Sequence, residues 1–441
     1  MIIALLTAYA LLLIWAGFSN EQQTKEDFFL NKRSSSALEV GLSIVVSSVG
    51  ASATIGMIGM AFTVGTPAFW WLGAGCFGLS LLGLLLAKKV RRTNAYTLPH
   101  LVEMLLGKEA RFLIAFIIII AWIAILAAQF SAIINLFKSL LGTDIYISLF
   151  LGFGFIVLHS LGGQKTIMKL DKIQAFIIVL SLSFLFIWLN SINPSWISNT
   201  KIEATNKDFS ASQLVYYIFI IGANYLVCPT LFSRVLSAKD EKTAEKGVFI
   251  GVIGLFISAC LIVSIGLASK GLISIETSQD MVLTTILSQV MPPWLYTLGY
   301  LALLCAIISS ADTCLVVAST VFSYDILQKS SPKITRVCTL FIGLSGALVT
   351  LWGKGILGFL LMAYDVFACG VVMPVFVALL MYSKEKIKSQ IACIGIILGG
   401  IIGTYGAIIA NTIYTYLALF LSGIIIFIGF VIEREKKEIY L

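Results

Sequence analysis

Thirteen apolar segments, most of them long enough to cross a hydrocarbon layer, leave this chain almost no fold but a bundle of membrane helices. They run near 1–18, 39–63, 68–88, 112–137, 145–162, 173–191, 211–233, 247–268, 295–328, 337–353, 355–382, 389–410 and 412–432. In hydrocarbon each backbone N–H and C=O must be paired within the protein, and a helix pairs them along its own length. Charged residues make up 12% of the chain, where a soluble protein carries about 25%, and the mean hydropathy is +1.00. The polar stretches between segments reach only roughly 20–25 residues. The expectation is an all-α polytopic protein, one membrane domain over 1–441 with about 13 transmembrane helices.

The formal charge of +8 is a matter of sidedness. With the N-terminus outside, the loops 19–38, 89–111, 163–172, 234–246, 329–336, 383–388 and the tail share one face. Together with Lys88 they hold 25 of the 30 Lys and Arg, while Lys138, Lys201, Lys207, Lys270 and Lys354 fall on the other. The basic face is expected in the cytoplasm, giving a multi-pass protein of the cell membrane with a cytoplasmic C-terminus. A nucleic-acid footprint is not needed to account for the charge. The first segment has no Lys or Arg before its apolar run, so it reads as a retained helix rather than a signal peptide. The eight cysteines form no CxxC pair, and neither a zinc site nor a disulfide framework is expected. Two histidines, His100 and His159, leave little for His-based catalysis.

Two segments break the apolar pattern in a way that implies chemistry. Leu304–Lys329 is apolar enough to span, yet Ser309, Ser310, Asp312 and Thr313 occupy consecutive turns within it. Counted from Ala306, Ser309, Ser310 and Thr313 fall on one helical face. Polar groups at membrane depth usually face a pathway or a bound ion, and oxygen ligands suit hard cations. The plainer reading bonds each hydroxyl back to a carbonyl one turn earlier. The second segment, Ser47–Met60, lies mid-span but is built of Ser, Gly, Ala and Thr. It reads either as a broken helix whose free carbonyls meet a cation or as a small-residue packing seam.

With these, six stretches make the chain resemble the sodium:solute symporter family. They are Asp27–Arg33 with the small-residue run Gly50–Gly56, then Asn94–Arg111, Gly162–Gln174, Ser233–Gly247 and Ile308–Leu327. The resemblance implies a LeuT-type fold: two inverted repeats of five helices, over 39–191 and 211–382. The helix at 1–18 would precede them and two helices at 389–432 would follow. It also implies a sodium site formed by the carbonyls of Ala51, Thr54 and Ala306 with the hydroxyls of Ser309 and Ser310. Some members hold a second cation, for which the matching residues are Asp171, Asp312 and Thr313. The competing reading pairs Asp171 with Lys169 or Lys172 at the membrane surface. Position in the fold nominates Ala53, Thr54, Trp70, Trp71, Gln129, Asn224, Tyr225 and Asp365 for the solute. Trp70 and Trp71 equally fit an interfacial aromatic belt. Kinks are expected at Pro229 and Pro374.

The function this implies is sodium-coupled import of a small organic solute by alternating access, with sodium as coupling ion and no cofactor. A proton-coupled symporter of the same fold is the alternative, and a membrane sensor with a separate partner is the alternative from another class. No nucleotide-binding loop or protease motif appears, so neither ATP drive nor enzymatic activity is expected. Asp365 and nearby aromatics favour an amine or zwitterion.

Overall fold

A computed structural model describes Tyr9 and residues 24–381, 389–409 and 411–440. Among these residues the regular elements are helices, with β-type pairing confined to isolated bridges such as Ser35 with Ala238. α1 (Lys25–Leu30) and α2 (Ala37–Ser48) both begin at capping boxes, Thr24 with Asp27 and Ser36 with Glu39. Each box satisfies backbone N–H groups that a helix start leaves free. A bend of 58° separates α2 from α3 (Ser52–Val64). Then come α4 (Thr66–Arg92), α5 (Leu98–Leu106), α6 (Lys108–Leu141), α7 (Ile145–Ser160) and α8 (Gly163–Ile192). The second half holds α9 (Ala211–Ser237), α10 (Glu241–Ala268), α11 (Val282–Gln289), α12 (Pro293–Ile326), α13 (Pro332–Thr350) and α14 (Ile356–Met381). α15 (Gln390–Ile408) and α16 (Thr412–Glu433) pack on one another at the end.

Ten of these helices are long and apolar enough to cross a membrane, or eleven with α2 and α3 taken as one broken span. The expected thirteen are therefore not all found among the described residues. α7 is apolar but only 16 residues long, and the segment 1–18 lies outside the described residues except for Tyr9.

α12 is the axis of the bundle. In its apolar window 94% of the residues are buried, against 33–67% in the other spans. It packs on α6, α7, α8, α13 and α2. Its middle turns carry Ala, Ser, Thr and Cys, which let neighbouring backbones approach closely. Large apolar side chains such as Phe116, Phe150, Phe176, Ile257 and Phe341 point outward instead, as a lipid-facing surface requires.

α9 is interrupted at Val227 and Cys228, which are extended (φ −130°, ψ 92° and φ −128°, ψ 124°), and restarts at Pro229. Proline crowds the residue before it out of the helical region, so the expected kink at Pro229 is a full break. Pro374 lies just after a wide π-type turn over Ala368–Val372 in α14. Three of the stretches expected to share one face, 24–38, 89–111 and 234–246, do meet. Arg33 donates to the carbonyl of Asn94, Arg91 to that of Ala238, and Arg92 pairs with Glu241. At the other end Thr66, Trp70 and Asn193 reach the backbone at Glu203, Ala204 and Lys270.

Candidate ion and solute site

The bend between α2 and α3 leaves the last carbonyls of α2 without intrahelical N–H partners. Two serines of α12 fill that role. Ser309 Oγ lies 3.2 Å from the Val46 carbonyl and 3.0 Å from that of Ala306. Ser310 Oγ donates to the Ser47 carbonyl at 2.9 Å. Ala306, Ser309 and Ser310 thus come together at the bend. Ala51 and Thr54 lie just beyond it, and the serines meet the carbonyls that precede it. The free N–H of Ala51, at the start of α3, donates to Gln129 Oε1 at 3.3 Å. Thr54 turns back, its N–H and hydroxyl both donating to the Gly50 carbonyl. All the oxygens gathered here are neutral, a set that suits a hard monovalent cation held reversibly.

A second polar cluster lies deeper between α2, α7, α8, α9 and α12. Asp171, His159, Arg234 and Asp312 are all buried there, each 1% exposed or less. Arg234 Nη2 donates to Thr313 Oγ1 at 2.6 Å and lies 3.6 Å from Asp171 Oδ2. The Ser43 hydroxyl donates to the same carboxylate, and His159 Nδ1 pairs with Asp312. Buried charges persist only when paired in this way. Asp171 is buried beside Arg234, and Lys172, one of the two surface partners considered from sequence, is bound to Glu39.

Beside the bend is a cavity of ≈ 60 Å³ whose lining includes Gln129, Asn224, Tyr225, Trp122, Tyr364 and Ser310. None of its lining side chains is charged. Asn224 Nδ2 donates to the carbonyls of Ile220 and Tyr364, tying α9 to α14. Trp122 Nε1 has no hydrogen-bond partner among the described residues. Three of the nominated solute residues, Gln129, Asn224 and Tyr225, line this cavity. Ala53 and Thr54 are buried in the wide turn beside it. Trp70 is remote: its indole donates to the Ala204 carbonyl at the end of the molecule. Trp71 packs edge-on against Tyr217. Asp365 faces a different cavity of ≈ 720 Å³ near Lys354 and Asn411, and accepts a bond from Tyr216 at 2.7 Å.

The family model for the sodium:solute symporter family matches residues 28–399. The chain belongs to this family. Its members are transporters rather than enzymes. Among curated proteins, this family member is 23% identical to the sodium/pantothenate symporter of Haemophilus influenzae, over 72% of this chain and 70% of that protein. It is likewise 23% identical to the human high affinity choline transporter 1, over 82% of this chain and 70% of that one. The Vibrio parahaemolyticus sodium/glucose cotransporter matches at 23% over 70% of this chain and 64% of that protein. A solved Na+-coupled sialic acid symporter, substrate-bound and outward-open, shares the fold at a TM-score of 0.76 and 15% identity. That match covers 94% of this chain and 98% of the other.

Sequence reasoning missed Arg234 and His159. Arg234 closely follows an apolar segment, and the sequence alone assigns it to the loop 234–246. His159 carried a usable signal, since an ionisable residue inside a predicted span is a site candidate in its own right.

Proposed function

We propose that this protein is a sodium-coupled symporter that imports a small polar solute by alternating access. The observation carrying this reading is the meeting of Ser309 and Ser310 with the free carbonyls of α2 at the bend. One ion held there would bridge α12 to the broken span, so its arrival and departure would bias how the two pack. The solute would sit in the adjacent cavity, which shares Ser310 with the ion site. A smaller cavity lined by Phe29, Gln164, Pro229 and Val317 lies further along α9 and α12. We take it as the start of a cytoplasmic exit, with the N-terminus outside.

Both of the interrupted spans, α2–α3 and α9, stand first in the proposed repeats 39–191 and 211–382. That correspondence supports the five-plus-five inverted arrangement. The lining gives no ion pair to a carboxylate or an ammonium, so recognition would rest on amide and hydroxyl groups and on ring faces. A neutral polar solute fits best. An amine remains the second reading, favoured by the rings of Trp122, Tyr225 and Tyr364, although Asp365 no longer supports it.

The test is equilibrium sodium binding by purified protein, with potassium as control, in the parent and in Ser309→Ala with Ser310→Ala. Sodium-specific binding lost in the double variant supports the coupling site. A well-folded parent that binds no sodium would point to proton coupling or to a sensing role.

A further inference from the structure

The residues that the family resemblance offers for a second cation each stand against a basic side chain. Thr313 Oγ1 accepts a hydrogen bond from Arg234 Nη2 at 2.6 Å. Asp171 Oδ2 lies 3.6 Å from the same nitrogen and accepts from Ser43. Asp312 is met by His159. A cation binding among these three side chains would stand beside a guanidinium that has no exit to water, since Arg234 is fully buried. Like charges in a site of low polarity repel strongly. An arginine also keeps its charge at any accessible pH. Asp171 Oδ1 and both carboxylate oxygens of Asp312 take no hydrogen bond from described groups, yet any ion meeting them would still face that guanidinium. The donor set therefore does not fit a second sodium.

We infer that Arg234 is a built-in cation occupying the place of a second sodium, so that one sodium binds per chain. The inference rests on the sodium-coupled reading above. It also gives the cluster a structural task. The guanidinium ties the second half of α9 to α8 and α12 permanently, where a bound ion would tie them only while present.

The experiment counts sodium ions per chain by equilibrium binding of radioactive sodium to purified full-length protein. The expected parent value is one, abolished by the Ser309 and Ser310 double variant. In Arg234→Ala, checked for folding by a monodisperse profile and a cooperative thermal transition, the vacated place should admit a weaker second sodium and raise the count toward two. A parent value of two would overturn the inference while leaving sodium coupling intact. A parent value of zero would overturn the coupling itself, and this inference with it. A folded Arg234→Ala protein that still binds one sodium would overturn the assignment of Arg234 to that place. Should Arg234→Ala fail to fold, the parent count decides alone.

Discussion

Gly50 has no side chain because Ser310 occupies the space one would need. A Cβ there would lie 2.1 Å from Ser310 Oγ. In Gly50→Ala the hydroxyl must rotate off the Ser47 carbonyl, losing a bond of about 0.5–1.5 kcal/mol net. Sodium affinity is expected to fall about tenfold, corresponding to about 1.4 kcal/mol, with helical content unchanged by circular dichroism. Asp280, in the loop before α11, offers a pH test away from the site. Burial raises its pKa above the usual carboxylate range, against the opposing hydrogen bond from the Ile356 N–H. The folded state therefore holds this proton more tightly than the unfolded chain, and stability falls as pH rises from the unfolded value of about 3.9 through the raised folded one. Asp280→Asn keeps an acceptor for Ile356 and removes that loss. Its melting temperature should exceed the parent's at neutral pH, and the gap should close as the pH approaches 4. At this scale Ser309 and Ser310 were legible because polar residues on one face of a spanning helix stand out. The pairings of Arg234 with Thr313 and of His159 with Asp312 were not. They join residues far apart in the chain, and only the packing of five helices brings them together.

The two broken spans carry the functional geometry among the elements. Gly and Ser in Ser47–Met60 and the proline at 229 announced both interruptions. Their consequence, which carbonyls are freed, depends on where each helix ends: the serines of α12 meet the carbonyls of Val46 and Ser47, which precede Ala51 and Thr54. The nine residues of α5 are too few to show a clear period in the sequence, although Thr97 caps it and Pro99 stands in its first turn. The contact of α4 with α9 is set by Gly78, where a Cβ would lie 1.8 Å from the Gly222 carbonyl oxygen. That atom is backbone and cannot swing aside. Gly78→Val should separate the two helices and destabilise the protein by about 1–3 kcal/mol, read as a lower melting temperature and poorer yield of folded protein.

For the whole molecule, the charge asymmetry of the loops predicted which of them would gather, and the fold brings 24–38, 89–111 and 234–246 to one end. Orientation can be read by labelling. In a background lacking the native cysteines, a cysteine at Ile202, which is 93% exposed, should react with an impermeant maleimide on intact cells. One at Lys333 should react only after permeabilisation, and the reverse pattern would invert the assignment. The long-range order of the helices could not be derived from periodicity, since a lipid-facing surface and a protein core are equally apolar. The family resemblance supplied it.

The fixed guanidinium at 234 has a consequence for how steeply this protein could accumulate its cargo. One sodium entering down a tenfold gradient and a 100 mV potential releases about 1.4 plus 2.3 kcal/mol. For an uncharged cargo that supports a ratio across the membrane of roughly 500-fold, and a second ion would square it. A chain that replaces an ion by an arginine gives up that steepness and halves the sodium the cell must pump back out for each molecule gained.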